Sequence, residues 1–178
     1  MNDLASIFLE RSRHYLAFEY RIKIRAAVES LPPDALWSRP NAESNSVGNL
    51  LLHLAGNVRQ WIVSGVGGAP DTRHRSAEFE AKGGETAAEL LEKLDRVLDD
   101  ADAVIAKLSP SDLMASRMIQ GRETTVIDAV YHVVEHFSGH VGQIILMAKT
   151  HAPGKVQFYE DAGGLARETW RSLARKKG

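Results

Sequence analysis

Four stretches of this chain repeat apolar residues at helical spacing with charged residues between them, and that period admits amphipathic helices and little else. The first runs from Leu4 to Val28 on Leu4, Phe8, Tyr15, Phe18 and Ile22. Leu31-Pro32-Pro33-Asp34 stops it, because proline lacks an amide hydrogen and disfavours helical geometry in the residue before it. The second starts near Asn45-Ser46, either of which can cap it, and carries Val47, Leu50, Leu51, Leu54, Val58, Trp61 and Ile62 to the breakers after Ser64. Thr86 with Glu89 forms a capping box ahead of Leu90, Leu91, Leu94, Leu98 and Ile105, the cleanest stripe in the chain. Thr125 with Asp128 opens the fourth, which ends near Lys149. Between these helices, the polar run from Asp71 to Arg75 reads as a long surface loop, and a loop or short hairpin passes through Gly121. Asp161 to Lys176, with Leu165, Trp170 and Leu173, reads as a docked fifth helix before a frayed Arg-Lys-Lys-Gly end.

No segment sustains an alternation of period two, and no internal repeat is visible, so the expected fold is all-α. Four helices with inward apolar faces make a four-helix bundle, here with long inter-helix loops and a short C-terminal helix. A length of 178 residues fits one domain over 1–178, with a core of about 4–150 and an extension over 151–178. Hydrophobic residues are 44% and charged residues 25%, values that exclude wholesale disorder. Lys plus Arg number 22 against 23 Asp plus Glu, so the balance offers no footprint for nucleic acid or an anionic membrane. No apolar run approaches the ~20 residues that span a bilayer, and the early charges do not suit a secretory signal, so a cytoplasmic location is expected. The absence of cysteine removes disulfides, thiolate zinc sites, iron–sulfur clusters and Cys nucleophiles. Any metal must be held by His and carboxylate.

Three of the seven histidines lie in Tyr131-His132-Val133-Val134-Glu135-His136-Phe137-Ser138-Gly139-His140. On a helix, His132, His136 and His140 stack on one face at successive turns, and a pair spaced by four can grip one ion. Two imidazoles leave a divalent ion short of ligands. His53, in the polar stripe Ser46, Asn49, His53 and Asn57 beside the core residues of helix two, is the obvious third. Gln143 continues the His136/His140 stripe as a partner for the ligands, and Gly56, Gly139 and Gly142 lie where helices or a ligand can approach. His132-Val133-Val134-Glu135-His136 also matches H-x-x-E-H, the inverzincin peptidase motif, which needs a further acidic ligand from Glu160, Asp161 or Glu168. A lone imidazole on a helix is more often a hydrogen-bonded or surface group, which is the reading for His14, His74 and His151.

The segments Asn45-Ser46-Val47-Gly48-Asn49-Leu50-Leu51-Leu52-His53-Leu54-Ala55-Gly56-Asn57 and Glu135-His136-Phe137-Ser138-Gly139-His140-Val141-Gly142-Gln143-Ile144 resemble the DinB/YfiT-like superfamily of metal-dependent enzymes. Within it, they are most similar to a DUF1572-like subgroup known only as a domain of unknown function. Asp71-Thr72-Arg73 through Glu78-Phe79 looks like the same subgroup, and the similarity covers most of residues 1–160. The resemblance implies a four-helix bundle, frequently a homodimer. It further implies a divalent metal, commonly zinc or nickel, on His53, His136 and His140, with His132 as the spare. Characterised relatives include transferases and an isomerase that use a low-molecular-weight thiol, and others look like hydrolases.

Three neutral imidazoles leave the charge of an ion uncompensated and at least one position open, for a water acidified to a pKa of about 7 or for a thiolate. With no cysteine in the chain, a thiol must come from a small molecule. Glu135 sits roughly 100° around the helix from His136 and points elsewhere. Asn49, Asn57 and Gln143 can orient ligands or substrate but cannot move protons, and Arg73 with Arg75 can clamp a carboxylate or phosphate. The expected function is metal-dependent transfer or hydrolysis at a small electrophilic substrate; the competing expectations are a non-catalytic metal- or ligand-binding bundle and, behind it, the inverzincin peptidase.

Overall fold

A computed structural model describes residues 3–174. Helix α1 (Leu4–Arg13), a π-helical stretch (His14–Tyr20) and α2 (Arg21–Glu29) run on as one rod. A short 3-10 turn (Pro33–Ala35) leads to α3 (Val47–Val58), which continues as a second π-helical stretch (Arg59–Val66). Next come α4 (Arg75–Glu80) and α5 (Ala87–Ile105). A hairpin of β1 (Ser116–Ile119) and β2 (Arg122–Thr125) precedes the longest helix, α6 (Val126–His151). The chain closes with a second hairpin, β3 (Tyr159–Asp161) and β4 (Ala166–Glu168), and α7 (Arg171–Ala174).

The first rod packs on α5 and α6, and α3 with its π stretch packs on the same two helices, so the four rods alternate around one core. Leu51, Leu54 and Ile62 of the second rod meet Leu90, Leu94 and Leu98 of α5 and Phe137 and Ile144 of α6 in that core, all fully buried. Burying such a side chain is worth about 1.5–3 kcal/mol, so the stripes legible in the sequence dictate which faces turn inward. Outside the core, Arg13 grips Asp102 through two hydrogen bonds of 2.7 and 2.9 Å, and Arg21 and Arg25 reach Asp95, clamping the first rod to α5.

The starts of the helices follow local chemistry. Ser46 caps α3 in a box closed by Asn49, Thr86 caps α5 in a box closed by Glu89, and Thr125 accepts from the Asp128 amide at the head of α6. Two expectations are corrected. The polar run after helix two is not all loop, since its end winds into α4. The fifth helix expected over Asp161 to Lys176 is for the most part a hairpin, because Gly163 and Gly164 take φ of 70° and 85°, a left-handed turn in which the Asp161 carboxylate accepts from the Gly164 amide. Among the described residues of that stretch, Arg171–Ala174 alone is helical. Trp170, fully buried, anchors this extension edge-on against Phe18, with their rings 5.7 Å apart. The expected fray of Arg175 to Gly178 lies outside the described residues. Among those described, no helix is long and apolar enough to cross a membrane.

Candidate metal centre

Helix α3 carries His53 on the face next to its core stripe, and α6 packs there with His136 and His140 one turn apart. The three meet. One ligating atom from each lies within 4.8 Å of the others, and Nε2 of His53 is 2.9 Å from Nε2 of His136. Donors around a tetrahedral zinc with bonds of ~2.0–2.1 Å stand about 3.3 Å apart, so the spacing suits a single ion. His53 is buried and the other two are half-buried, which leaves the cluster one side toward solvent.

Hydrogen bonding on the far edges of the rings fixes which nitrogen keeps a lone pair. His53 Nδ1 is 2.9 Å from Oε2 of Glu78, which only accepts, and 3.1 Å from Nη2 of Arg73, which only donates; the shorter contact, and the two hydrogen bonds that already turn Arg73 onto Glu78, assign the proton to Nδ1. His140 Nδ1 is 2.7 Å from Oε1 of Gln143, with the same consequence. Both rings therefore present an unprotonated Nε2, the tautomer that binds metal, to the centre of the cluster. The donor set fits a divalent ion.

Glu78 is itself held. Arg73 donates from Nε to Oε1 at 2.7 Å and from Nη2 to Oε2 at 2.8 Å, and its Nη1 reaches Gln60 at 2.9 Å. The Arg73 side chain is 4% exposed and that of Glu78 10%, so this is a buried, bidentate pair behind His53. Any Cβ at Gly56 would collide with the Glu78 carboxylate, so glycine lets the pair lie against the α3 backbone. Asn49 donates through Nδ2 to the carbonyls of Glu78 and Ala81 at 2.9 and 2.8 Å, pinning α4 in place.

The residues expected to orient ligands or substrate are thus distributed unequally. Gln143 touches His140, Arg73 reaches His53 and Glu78, and Asn49 acts through the backbone of α4 without touching a histidine. Asn57 Nδ2 faces His132 Nε2 at 3.4 Å, while its buried Oδ1 has no partner among the described residues. His132 stays out of the cluster, its ring 4.1 Å from that of Trp61, and Glu135 is exposed, so the H-x-x-E-H arrangement does not form a site. Arg73 is not a free clamp for a substrate anion, because Glu78 occupies it, and Arg75 lies over the Phe79 ring. Of the three glycines expected at a close approach, Gly56 meets one, and Gly139 and Gly142 border open space. Sequence reasoning missed Glu78. The available signal was chemical: a ligating His usually donates its other N–H to a carboxylate, and the segment between helices two and three holds few acids.

A family model described as a protein of unknown function, DUF1572, matches residues 3–159. The chain belongs to the DUF1572 family. Its fold is similar to the crystal structure of a DinB-like protein from Bacillus subtilis, with a TM-score of 0.62 at 18% identity over 83% of this chain and 94% of that one. A DinB-like protein from Bacillus cereus gives 0.60 at 15% identity, over 77% and 91%. At these identities the likeness speaks for the fold, a DinB-like helical bundle. No curated protein matches.

The electrostatics of this DUF1572 site favour neutral imidazoles. Burial, aided by the charges of His140, His53, His132 and Arg73, pushes the His136 pKa down to about 3. His140 is lowered by burial despite its bond to Gln143, and His132 is lowered by burial too. Burial opposes ionisation of Glu78, but the hydrogen bonds and charges of Arg73 and His53 hold its carboxyl below the usual range. A folded-state pKa below the unfolded one means that protons bind the unfolded chain first, so stability is lost as pH falls. For His136 that loss begins near the ordinary histidine value of about 6.5 and continues toward the folded value. The urea midpoint of metal-free protein is therefore expected to drop steadily between pH 7 and pH 4, and to drop less in His136→Asn.

Proposed function

We propose that this DUF1572 protein is a divalent-metal-dependent enzyme that holds its ion on His53, His136 and His140 and acts by transfer or hydrolysis on a small electrophilic substrate. The observation that carries the proposal is the convergence of these imidazoles with Nδ1 of His53 and of His140 committed to Glu78 and Gln143. Neutral ligands leave the charge of the ion uncompensated, and a bound divalent ion supplies Lewis-acid polarisation together with an acidified water or thiol. Zinc and nickel both suit an all-imidazole set.

The chain's own residues have defined tasks. Glu78 keeps the Nδ1 proton of His53 and so keeps its Nε2 available, while Arg73 keeps Glu78 ionised and fixed. Asn57 and Trp61 flank His132 beside the cluster, and each keeps one buried polar atom, Oδ1 and Nε1, without a partner among the described residues. Lacking cysteine and any acid inside the cluster, the protein takes its nucleophile from outside, as water or as a small-molecule thiol.

Turnover tests this. Protein loaded with zinc or nickel is assayed with glutathione plus 1-chloro-2,4-dinitrobenzene for thiol transfer and with 4-nitrophenyl acetate for hydrolysis. The expected result is metal-dependent turnover of one of them, abolished in His136→Ala. Stoichiometric metal with no turnover of either class would leave a metal-binding bundle in place of an enzyme.

A further inference from the structure

A cavity of about 560 Å³ lies on a different face of α3 from the metal cluster, and none of the three clustered histidines lines it. Leu52, Ala55, Gly56 and Arg59 recur at one helical face and form its floor; α4 supplies Ala77 and Glu78, and α5 supplies Lys93 and Val97. Its volume falls in the range of small-molecule sites, roughly 300–1,000 Å³. Its lining combines aliphatic side chains with charged ones.

The charges do not cancel. Glu78 is taken by Arg73 and His53, and Glu85 by Lys93 at 2.6 Å. Arg59 is half-buried and makes no hydrogen bond or ion pair with any described residue; its charge acts through space on the nearby Asp71. A guanidinium carries five donors and stays charged, so a half-buried one with none engaged is set up to receive an acceptor from outside the chain.

We propose that this cavity is a second small-molecule site, which takes an amphipathic anion: a carboxylate on Arg59 and a short apolar body against Leu52, Ala55, Ala77 and Val97. It is separated from the metal cluster by the Arg73–Glu78 pair, which lines the cavity on one side and holds His53 on the other. An occupant therefore touches the residues that orient a metal ligand without touching the ligand. The site does not depend on the metal being present.

Sodium hexanoate titrated into metal-free, ¹⁵N-labelled protein is the probe, with 1-hexanol and inorganic phosphate as separate titrations for the apolar and anionic halves. Saturable shifts are expected at Ala55, Arg59, Ala77 and Val97, with hexanol and phosphate each weaker. Arg59→Gln should weaken hexanoate by about tenfold or more and leave hexanol unchanged, the cost of one charge-assisted bond. Ala77→Trp, at an exposed position of α4 that lines the cavity, should abolish binding by filling it. Absence of saturation at tens of millimolar hexanoate would overturn the proposal. So would equal hexanoate affinity in Arg59→Gln, or phosphate binding as well as hexanoate.

Discussion

Replacing Glu78 with Ala is expected to lower the free energy of unfolding by about 3–5 kcal/mol, the cost of leaving one member of a buried ion pair without its partner. The reason is specific to this position. Arg73, with its side chain 4% exposed, would keep its charge in a low-dielectric setting while losing two hydrogen bonds of 2.7 and 2.8 Å. His53 would lose the acceptor that fixes its tautomer, so metal affinity should fall by about 10–100-fold in the same variant. Urea denaturation measures the first effect and competition with a chelating dye the second. Glu78→Gln keeps the shape and loses the charge, so it should retain part of the stability but little of the metal affinity. In Glu78→Ala/Arg73→Met no buried charge is stranded, and stability should recover by several kcal/mol over Glu78→Ala alone. Metal affinity should not recover, which separates the structural role of the pair from its hold on His53.

The second large effect is thermal. A ligand that binds only the folded chain stabilises it by mass action, by about 4.1 kcal/mol when it is present at 1,000 times its dissociation constant. For a domain of this size, each kcal/mol moves the melting temperature by roughly 2–4 °C, so saturating zinc or nickel should raise it by roughly 8–16 °C. His53→Ala and His140→Ala should lose that increment, because each removes one of the three converging nitrogens. His132→Ala should keep it, since His132 packs on Trp61 outside the cluster. Without metal, the same substitutions at His136 or His140 remove imidazoles that burial keeps neutral, and their melting temperatures should move far less.

How much of this was legible beforehand depends on how far each feature reaches along the chain. The stripe from Leu90 to Ile105 and the boxes at Ser46 and Thr86 are local, and helix and caps appear where the residues put them. The grouping of His136 with His140 is local too, a matter of one helical turn. Its completion by His53 spans 83 positions and was readable because a polar stripe beside a core stripe must face something, and because the family resemblance implies a ligand there. Glu78 and its pairing with Arg73 were not read, the one signal being that a ligating His calls for a carboxylate partner. Glu78 sits in a short helix and Arg73 in the polar run just before it, where a buried acid looks like any solvated one until α3 and α4 are packed together. The π-helical stretches were likewise hidden, because the apolar spacing through Tyr15 and Phe18, or through Trp61 and Ile62, serves an α-helix equally well. The C-terminal hairpin lost to a helical pattern because Leu165, Trp170 and Leu173 have helical spacing, while the deciding glycines, Gly163 and Gly164, carry no weight in that pattern.

Elemental analysis of purified, tag-free protein after exposure to zinc or nickel and exhaustive dialysis tests the central claim most directly. With His53, His136 and His140 as the ligands of one ion, wild type and His132→Ala should each retain close to one ion per chain, while His53→Ala, His136→Ala and His140→Ala retain almost none. Retention in His53→Ala, or an empty wild type under the same conditions, would contradict a metal centre on these three histidines.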